Sequence, residues 1–176
     1  MTSNKAVDSV LYPLSECPLQ AYLTNTLQVA DVVEWAMNQM PGKVHLRQTS
    51  FSISEEFVRR LWHLQRSGKV SEVELVLDHK ATNKTLRLWP FLVQTINRLY
   101  LADNHSKLIL LESDTAGEVT RVAIITSQNL TRGNRHESAI ITTDEGVFRK
   151  LEASFLDIRD HHSVPLRELF NIKMQS

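Results

Sequence analysis

The apolar positions along this chain change period several times, and each change predicts a new element. Between Thr26 and Met40, Val29, Val32, Val33, Ala36, Met37 and Met40 recur at the spacing of one helix face, and Pro41-Gly42 ends the run. KVHLRQTSFS then alternates with period two and predicts a strand. SISEEFVRRLWHLQRSG returns to helical spacing, with Ser54 placed as an N-cap, Glu55 and Glu56 in the first turn, and Gly68 at the end. VSEVELVLD predicts the next strand. NKTLRLWPFLVQTIN predicts a helix that Pro90 either begins or kinks. Trp62, Trp89 and Phe91 fall in these helical stretches and are expected in the core.

Downstream the pattern turns to strands. RLYLAD, HSKLILLE, RVAIITS and HESAIITTD each read as one, with the polar SDTAGEVT as a hairpin loop between the second and third. EGVFRKLEASFLDIRD is amphipathic at helical spacing. Strand–helix alternation followed by a cluster of strands predicts an α/β fold, a mixed β-sheet with helices on both faces. The length fits a single domain over residues 1–176. Within it, 1–26 reads as an extended N-terminal arm with one short strand, 27–158 as the core, and 159–176 as a C-terminal extension packing on the core or on a partner.

Charge changes this picture little. Lys+Arg and Asp+Glu each number 20, which argues against a uniformly basic nucleic-acid coat and leaves room for a local basic cleft. The single cysteine, Cys17, excludes an internal disulfide and a multi-cysteine zinc site. MTSNKAVDSVLYPLSE has no apolar leader core, and no run approaches the roughly 20 apolar residues of a membrane span. A cytoplasmic protein with no membrane partner is the expectation.

The chemistry gathers where the strands cluster. In NHSKLILLES, His105 and Lys107 stand two apart ahead of four aliphatics, so they point the same way at the mouth of a buried strand, and Glu112 closes it. Two nitrogen-rich groups there are costly unless an anion meets them. The next strand delivers Thr126-Ser127-Gln128-Asn129, and Glu137 opens the strand after that. His79-Lys80, being adjacent, would face opposite sides of a strand and cannot form a second such pair. Arg132 and Arg135 are candidates for contact with a polyphosphate backbone or ordinary surface residues, and His161-His162 diverge too far for a metal pair.

His105-Ser106-Lys107, four residues, then Glu112, followed by Ser127-Gln128-Asn129, resembles the phospholipase D superfamily pattern H-x-K-x4-D with a later G-S-x-N. Upstream, TSFSISEEFVRRLWHL and VELVLDHKATN are similar to the strand–helix–strand ahead of that motif in small bacterial phospholipase D-like nucleases, so the resemblance spans roughly residues 27–158. It departs in having Glu112 for aspartate, Thr126 for glycine, and a longer hairpin. The resemblance implies a phospholipase D-like fold and a metal-independent phosphodiesterase, a nuclease acting on DNA or RNA through a covalent phosphohistidine, with no cofactor. His105 would be the nucleophile, with Lys107, Ser127 and Asn129 as the phosphate clamp. Glu137 would orient the imidazole, and Glu112 would contribute to catalysis or fix local structure. A second histidine must protonate the leaving oxygen, and one H-x-K per chain implies a homodimer. A catalytically silent domain that binds nucleic acid or dimerises through the same cleft is the alternative.

Overall fold

A computed structural model describes residues 5–167. In chain order it comprises α1 (Lys5–Asp8), β1 (Leu19–Thr24), α2 (Val29–Asn38), β2 (Val44–Ser50), α3 (Glu55–Arg66), β3 (Val70–Asp78), α4 (Thr82–Arg87) and α5 (Trp89–Thr95). There follow β4 (Arg98–Ala102), β5 (Leu108–Ser113), β6 (Arg121–Thr126), β7 (Glu137–Thr142), α6 (Glu145–His161) and β8 (Ser163–Pro165). The strands form one 8-stranded sheet in the order β1-β7-β6-β5-β2-β3-β4-β8. β2, β3 and β4 run parallel, and every other pairing is antiparallel.

Alternation along the strands builds a core on each face. Leu75, Leu77, Ile109, Leu111, Val122 and Ile124 pack against Val33 and Met37 of α2, Phe57 and Leu61 of α3, and Leu92 of α5. Their neighbours Val76, Leu108, Leu110 and Ala123 point the opposite way, onto Phe148 and Phe155 of α6. The mixed sheet with helices on both faces is therefore as predicted. Local signals act where expected: Ser54 accepts a hydrogen bond from Phe57 N at 3.3 Å, and Asp144 caps α6 through Val147 N at 2.7 Å. Such caps are each worth about 1 kcal/mol.

Several expectations are corrected. The N-terminal arm is not simply extended: α1 precedes β1, and Val7, Leu11 and Leu14 are buried in the core, because short apolar anchors need no sustained period to be covered. The helix predicted across Pro90 is two helices, broken at Leu88, with Pro90 in the first turn of α5, where its missing N–H costs nothing. His79-Lys80 lie in a 3₁₀ turn after β3 rather than in a strand. Trp62, Trp89 and Phe91 are half-buried: Trp89 and Phe91 pack against the margin of the core, while the Arg66 guanidinium lies over Trp62, 4.9 Å from its ring centroid. In the segment read as a C-terminal extension, α6 runs on to His161 and β8 then pairs with β4, burying Leu166; residues 168–176 of that extension lie outside the described residues.

One helix cannot cover one face of eight strands. On the α6 face, Ile125 of β6 pairs with Ile140 of β7, which pairs with Ala21 of β1. Ile125, Ile140, Leu19 and Leu23 on this face are 42%, 49%, 65% and 74% exposed, an apolar strip beyond the reach of α6. Among the described residues no helix is long and apolar enough to cross a membrane.

Candidate active site

Strand directions decide where the polar residues meet. β2, β3 and β4 end at Ser50, Asp78 and Ala102 on one edge of the sheet. β5 is antiparallel to β2, with Leu108 opposite Thr49, so it begins there. β6 ends and β7 begins on the same edge, at Thr126 and Glu137. Such an edge, at the carboxyl ends of the parallel strands, is where open α/β sheets collect ligands.

His105 and Lys107 precede β5 rather than belonging to it, in an extended segment held from below. Asp78 is 2% exposed; its carboxylate accepts from Lys80 N at 2.7 Å and Asn104 N at 3.0 Å. The Asn104 side chain accepts from Ser106 N at 3.2 Å and donates to Ser50 O and Ser106 O at 3.4 and 3.3 Å. Thr49 Oγ1 lies 2.8 Å from Ser106 Oγ and accepts from Leu108 N at 3.0 Å. On this base, Lys107 Nζ reaches His105 O at 2.9 Å and His105 Nδ1 at 3.5 Å, consistent with two side chains pointing the same way. Neither makes an ion pair with a described carboxylate.

The second half of the motif is tied to the first. Thr126 N donates to Lys107 O at 3.0 Å. Thr126 adds a hydroxyl where the phospholipase D pattern has glycine, and that hydroxyl accepts from Gln128 N and donates to Ser138 O, both at 3.0 Å. The turn is thus formed by its own side chain, with no positive φ to require glycine. Ser127 donates to Glu137 and accepts from Ser138 N at 3.0 Å. Asn129 Oδ1 accepts from Phe51 N at 3.2 Å. Tyr22, Ala139 and Thr126 lie in one cross-strand row, and burial of the Tyr22 phenol, opposed by the neighbouring Thr126 hydroxyl and reinforced by the nearby Glu137 charge, pushes its pKa up to about 12.

His105, Lys107 and Ser127 line one open groove with Thr49 and Ser106; Leu108, Ile125, Leu151, Phe155 and Ile158 form its apolar wall. The bare strip is therefore continuous with it through Ile125. Glu137 joins through Ser127, and Asn129 flanks it on the same loop. Within the chain Glu137 makes no hydrogen bond to His105.

Glu112 is not brought to the groove. It lies five residues beyond Lys107, about 17 Å along an extended chain, on the α6 face. There it meets Arg149 at 2.9 Å, Arg121 at 3.1 Å and Arg47 at 3.4 Å. Burial alone would raise its pKa, but the Arg121 hydrogen bond and the Arg149 and Arg47 charges hold it below the ordinary carboxylate range. Arg47 also reaches Glu152 at 2.8 Å and Glu74 at 3.3 Å. Glu74, 1% exposed, accepts from Arg159 at 2.9 Å and lies 3.0 Å from His45 Nε2; burial opposes its charge, yet these neighbours lower its pKa to about 2.

Among the described residues two groups present possible metal-ligand atoms together, His45, Glu72 and Glu74, and Asp78, His79 and Asp103. In the first, Glu72 and Glu74 already face Arg98 and Arg159. In the second, Asp78 is taken by backbone N–H groups and Asp103 faces Lys80 at 3.5 Å. His162 faces Asp157 at 3.5 Å. Asp78 reads from sequence, with His79 and Lys80, as a strand-end rim that contacts substrate or is a solvated loop, and it instead braces the backbone from beneath; Asn104, Thr49 and Phe51 were not singled out from sequence. The one local signal was the Asn-x-Ser turn of NHS, which ties a side chain to the backbone two residues on.

The sheet order and the strand-end placement of these groups define a phospholipase D-like fold. The structure matches the phospholipase D family member Nuc from Salmonella typhimurium at TM-score 0.59 and 15% identity, covering 84% of this chain and 96% of that one. It matches NucT from Helicobacter pylori at TM-score 0.61 and 13% identity, covering 84% and 98%. It also matches polyphosphate kinase from Porphyromonas gingivalis at TM-score 0.64 and 18% identity, covering 87% of this chain but 28% of that one. No family model and no curated protein matches the sequence. At these identities the likeness shows the fold, and the site has to argue the chemistry.

Proposed function

We propose that this chain is a metal-independent phosphodiesterase, a nuclease that works as a homodimer through a covalent phosphohistidine. The observation that carries this reading is the meeting of His105, Lys107 and Ser127 on one groove, with Asn129 and Glu137 tied to its second loop. His105 and Lys107, with no described carboxylate as partner, suit the non-bridging oxygens of a phosphodiester, and the Ser127 hydroxyl stands beside them on Glu137.

His105 Nε2 attacks phosphorus, and a P–N bond forms as the P–O bond to the leaving group breaks. The partner subunit's His105 gives its proton to the departing oxygen. Water then attacks phosphorus, surrenders a proton to the partner subunit's His105, and the P–N bond breaks to restore the nucleophile. No step draws on a metal. For Nε2 to attack, Nδ1 must keep its proton and face an acceptor. The Lys107 ammonium has no lone pair and cannot be that acceptor, whereas the Glu137 carboxylate can.

The dimer is supported by the bare strip of Ile125, Ile140, Leu19 and Leu23, which runs from the groove across β7 to β1. An apolar surface beside the reacting groups is what a second copy would cover to bring its own histidine. A nucleic-acid substrate is supported by the exposed Arg132, Arg135 and His136 in the loop that follows Asn129, suited to a polyanionic backbone.

The test is turnover of bis(p-nitrophenyl) phosphate and labelled DNA in EDTA, with trapping of the intermediate. Turnover should survive chelation, and wild type should yield an acid-labile, base-stable phosphoryl adduct that His105→Ala lacks. Loss of all turnover in EDTA, restored by Mg²⁺, overturns the mechanism. No adduct, with DNA binding undiminished in His105→Ala, assigns the groove to a binding module.

A further inference from the structure

The proposed nucleophile is the least restrained group in the site. His105 is exposed, and among the described residues its imidazole's one hydrogen-bonding neighbour, Lys107 Nζ, stands at 3.5 Å, the outer limit of a hydrogen bond. A histidine side chain with two free torsions spends little time at the angle an in-line attack needs. Its remaining contact is aromatic. The Phe51 ring lies with its centroid 5.9 Å from that of His105, tilted by 59°, a geometry typical of favourable ring pairs.

Phe51 is itself fixed by the other half of the motif. Its N–H donates to Asn129 Oδ1 at 3.2 Å. On one side of it, Ser50, fully buried, accepts from Leu130 N at 3.1 Å and donates to Ser52 O at 2.8 Å. On the other, Ile53 bridges to Leu130, and Ser54 N donates to Leu130 O at 2.9 Å. The stretch after β2 is thus laced to the loop that carries Ser127 and Asn129, and its one aromatic ring leans on the residue that must attack. A backbone N–H can only donate, so the Asn129 amide must turn its oxygen to Phe51, leaving the Nδ2 donors free for an anion.

We propose that Phe51 is a positioning residue: its ring sets the His105 imidazole at the angle of attack while its N–H sets the Asn129 amide with Nδ2 toward the phosphate. The assignment rests on the phosphodiesterase reading above. It makes Phe51 a bridge between the H-x-K and S-x-N halves of the site, in addition to the backbone bond from Thr126 N to Lys107 O. An aliphatic of similar size in its place fills the space without offering the imidazole a ring. The same ring could instead be a platform on which a nucleobase stacks; its pairing with the His105 ring favours positioning, and the two roles differ in what they do to a small substrate.

The experiment compares wild type, Phe51→Leu and Phe51→Tyr on methyl p-nitrophenyl phosphate, which has no base, and on a single-stranded oligonucleotide. Phe51→Leu should lower kcat about 10–100-fold on both with KM nearly unchanged, the scale of a misplacement of about 1 Å. Phe51→Tyr, which keeps the ring, should recover most of the rate. In the proton NMR spectrum, the imidazole signals identified by their absence in His105→Ala should lose their ring-current shift in Phe51→Leu and keep it in Phe51→Tyr. Unchanged kcat on the small diester, with KM raised for the oligonucleotide alone, would identify a stacking platform and overturn the proposal. Imidazole signals that do not move in Phe51→Leu would overturn it equally. If wild type turns over neither substrate, the phosphodiesterase reading fails by itself, and the NMR arm still decides whether the ring positions the imidazole.

Discussion

The two ends of β5 hold charge in opposite company. At Glu112 three arginines stand within 3.4 Å of one carboxylate, and the cluster extends through Arg47 to Glu74 and Glu152. Beside Leu108, the Lys107 ammonium finds a carbonyl oxygen and an imidazole but no described carboxylate. Nothing in the H-x-K-x4-acid spacing distinguishes the ends, yet one is saturated and the other is left open. Saturated charge makes architecture, since each partner is already satisfied. Charge braced from beneath and unsatisfied above is available to a ligand.

The contrast can be broken from either side. The largest effect belongs to His105→Ala, which on the proposed mechanism removes nucleophile and acid together. Turnover should fall by at least about 10⁴-fold with an unchanged circular dichroism spectrum. Lys107→Ala should cost about 10²–10³ in kcat, the scale of deleting one charge-stabilising donor. At the other end the effects should appear in stability. Glu74→Ala leaves Arg159 and Arg47 short of a buried partner and should cost about 3–5 kcal/mol in urea unfolding at pH 7. The Glu74 contribution also depends on pH. Its folded pKa of about 2 lies below the ordinary 4.5, so the unfolded chain binds the proton more tightly. The stabilisation is complete above the ordinary value and is lost as pH falls from there toward about 2. Wild type should therefore lose more stability than Glu74→Gln between pH 5 and pH 3 (bounds set by these pKa values).

Glu112→Asp keeps the charge on a shorter side chain and, if that end is architectural, should leave kcat within a few-fold while lowering the unfolding midpoint slightly. A drop as large as that of Lys107→Ala would place Glu112 in the chemistry after all.

What the sequence made legible follows from how local each cause is. Period-two and helical spacing placed the strands and helices, the Ser54 cap and the glycine at the end of α3, because each depends on neighbours a few residues away. His105, Lys107, Ser127 and Asn129 were legible through their spacing, which survives with Glu112 and Thr126 substituted. The restraints on these residues were not. Asp78 holds Asn104 across 26 residues, and Phe51 holds Asn129 across 78. The ionic cluster joins Glu74 to Arg159 across 85. Such contacts are set by sheet order, which no window of sequence contains. The buried arm was missed because Val7, Leu11 and Leu14 anchor it singly, without a period to read.

On the proposed mechanism, the uncovered strip on the α6 face ties activity to concentration. If two copies must meet there before a nucleophile has its acid, catalytic output per molecule is set by how crowded the molecules are. Dilution would switch the protein off with no inhibitor, and a site able to cut nucleic acid would stay idle wherever the chain is scarce.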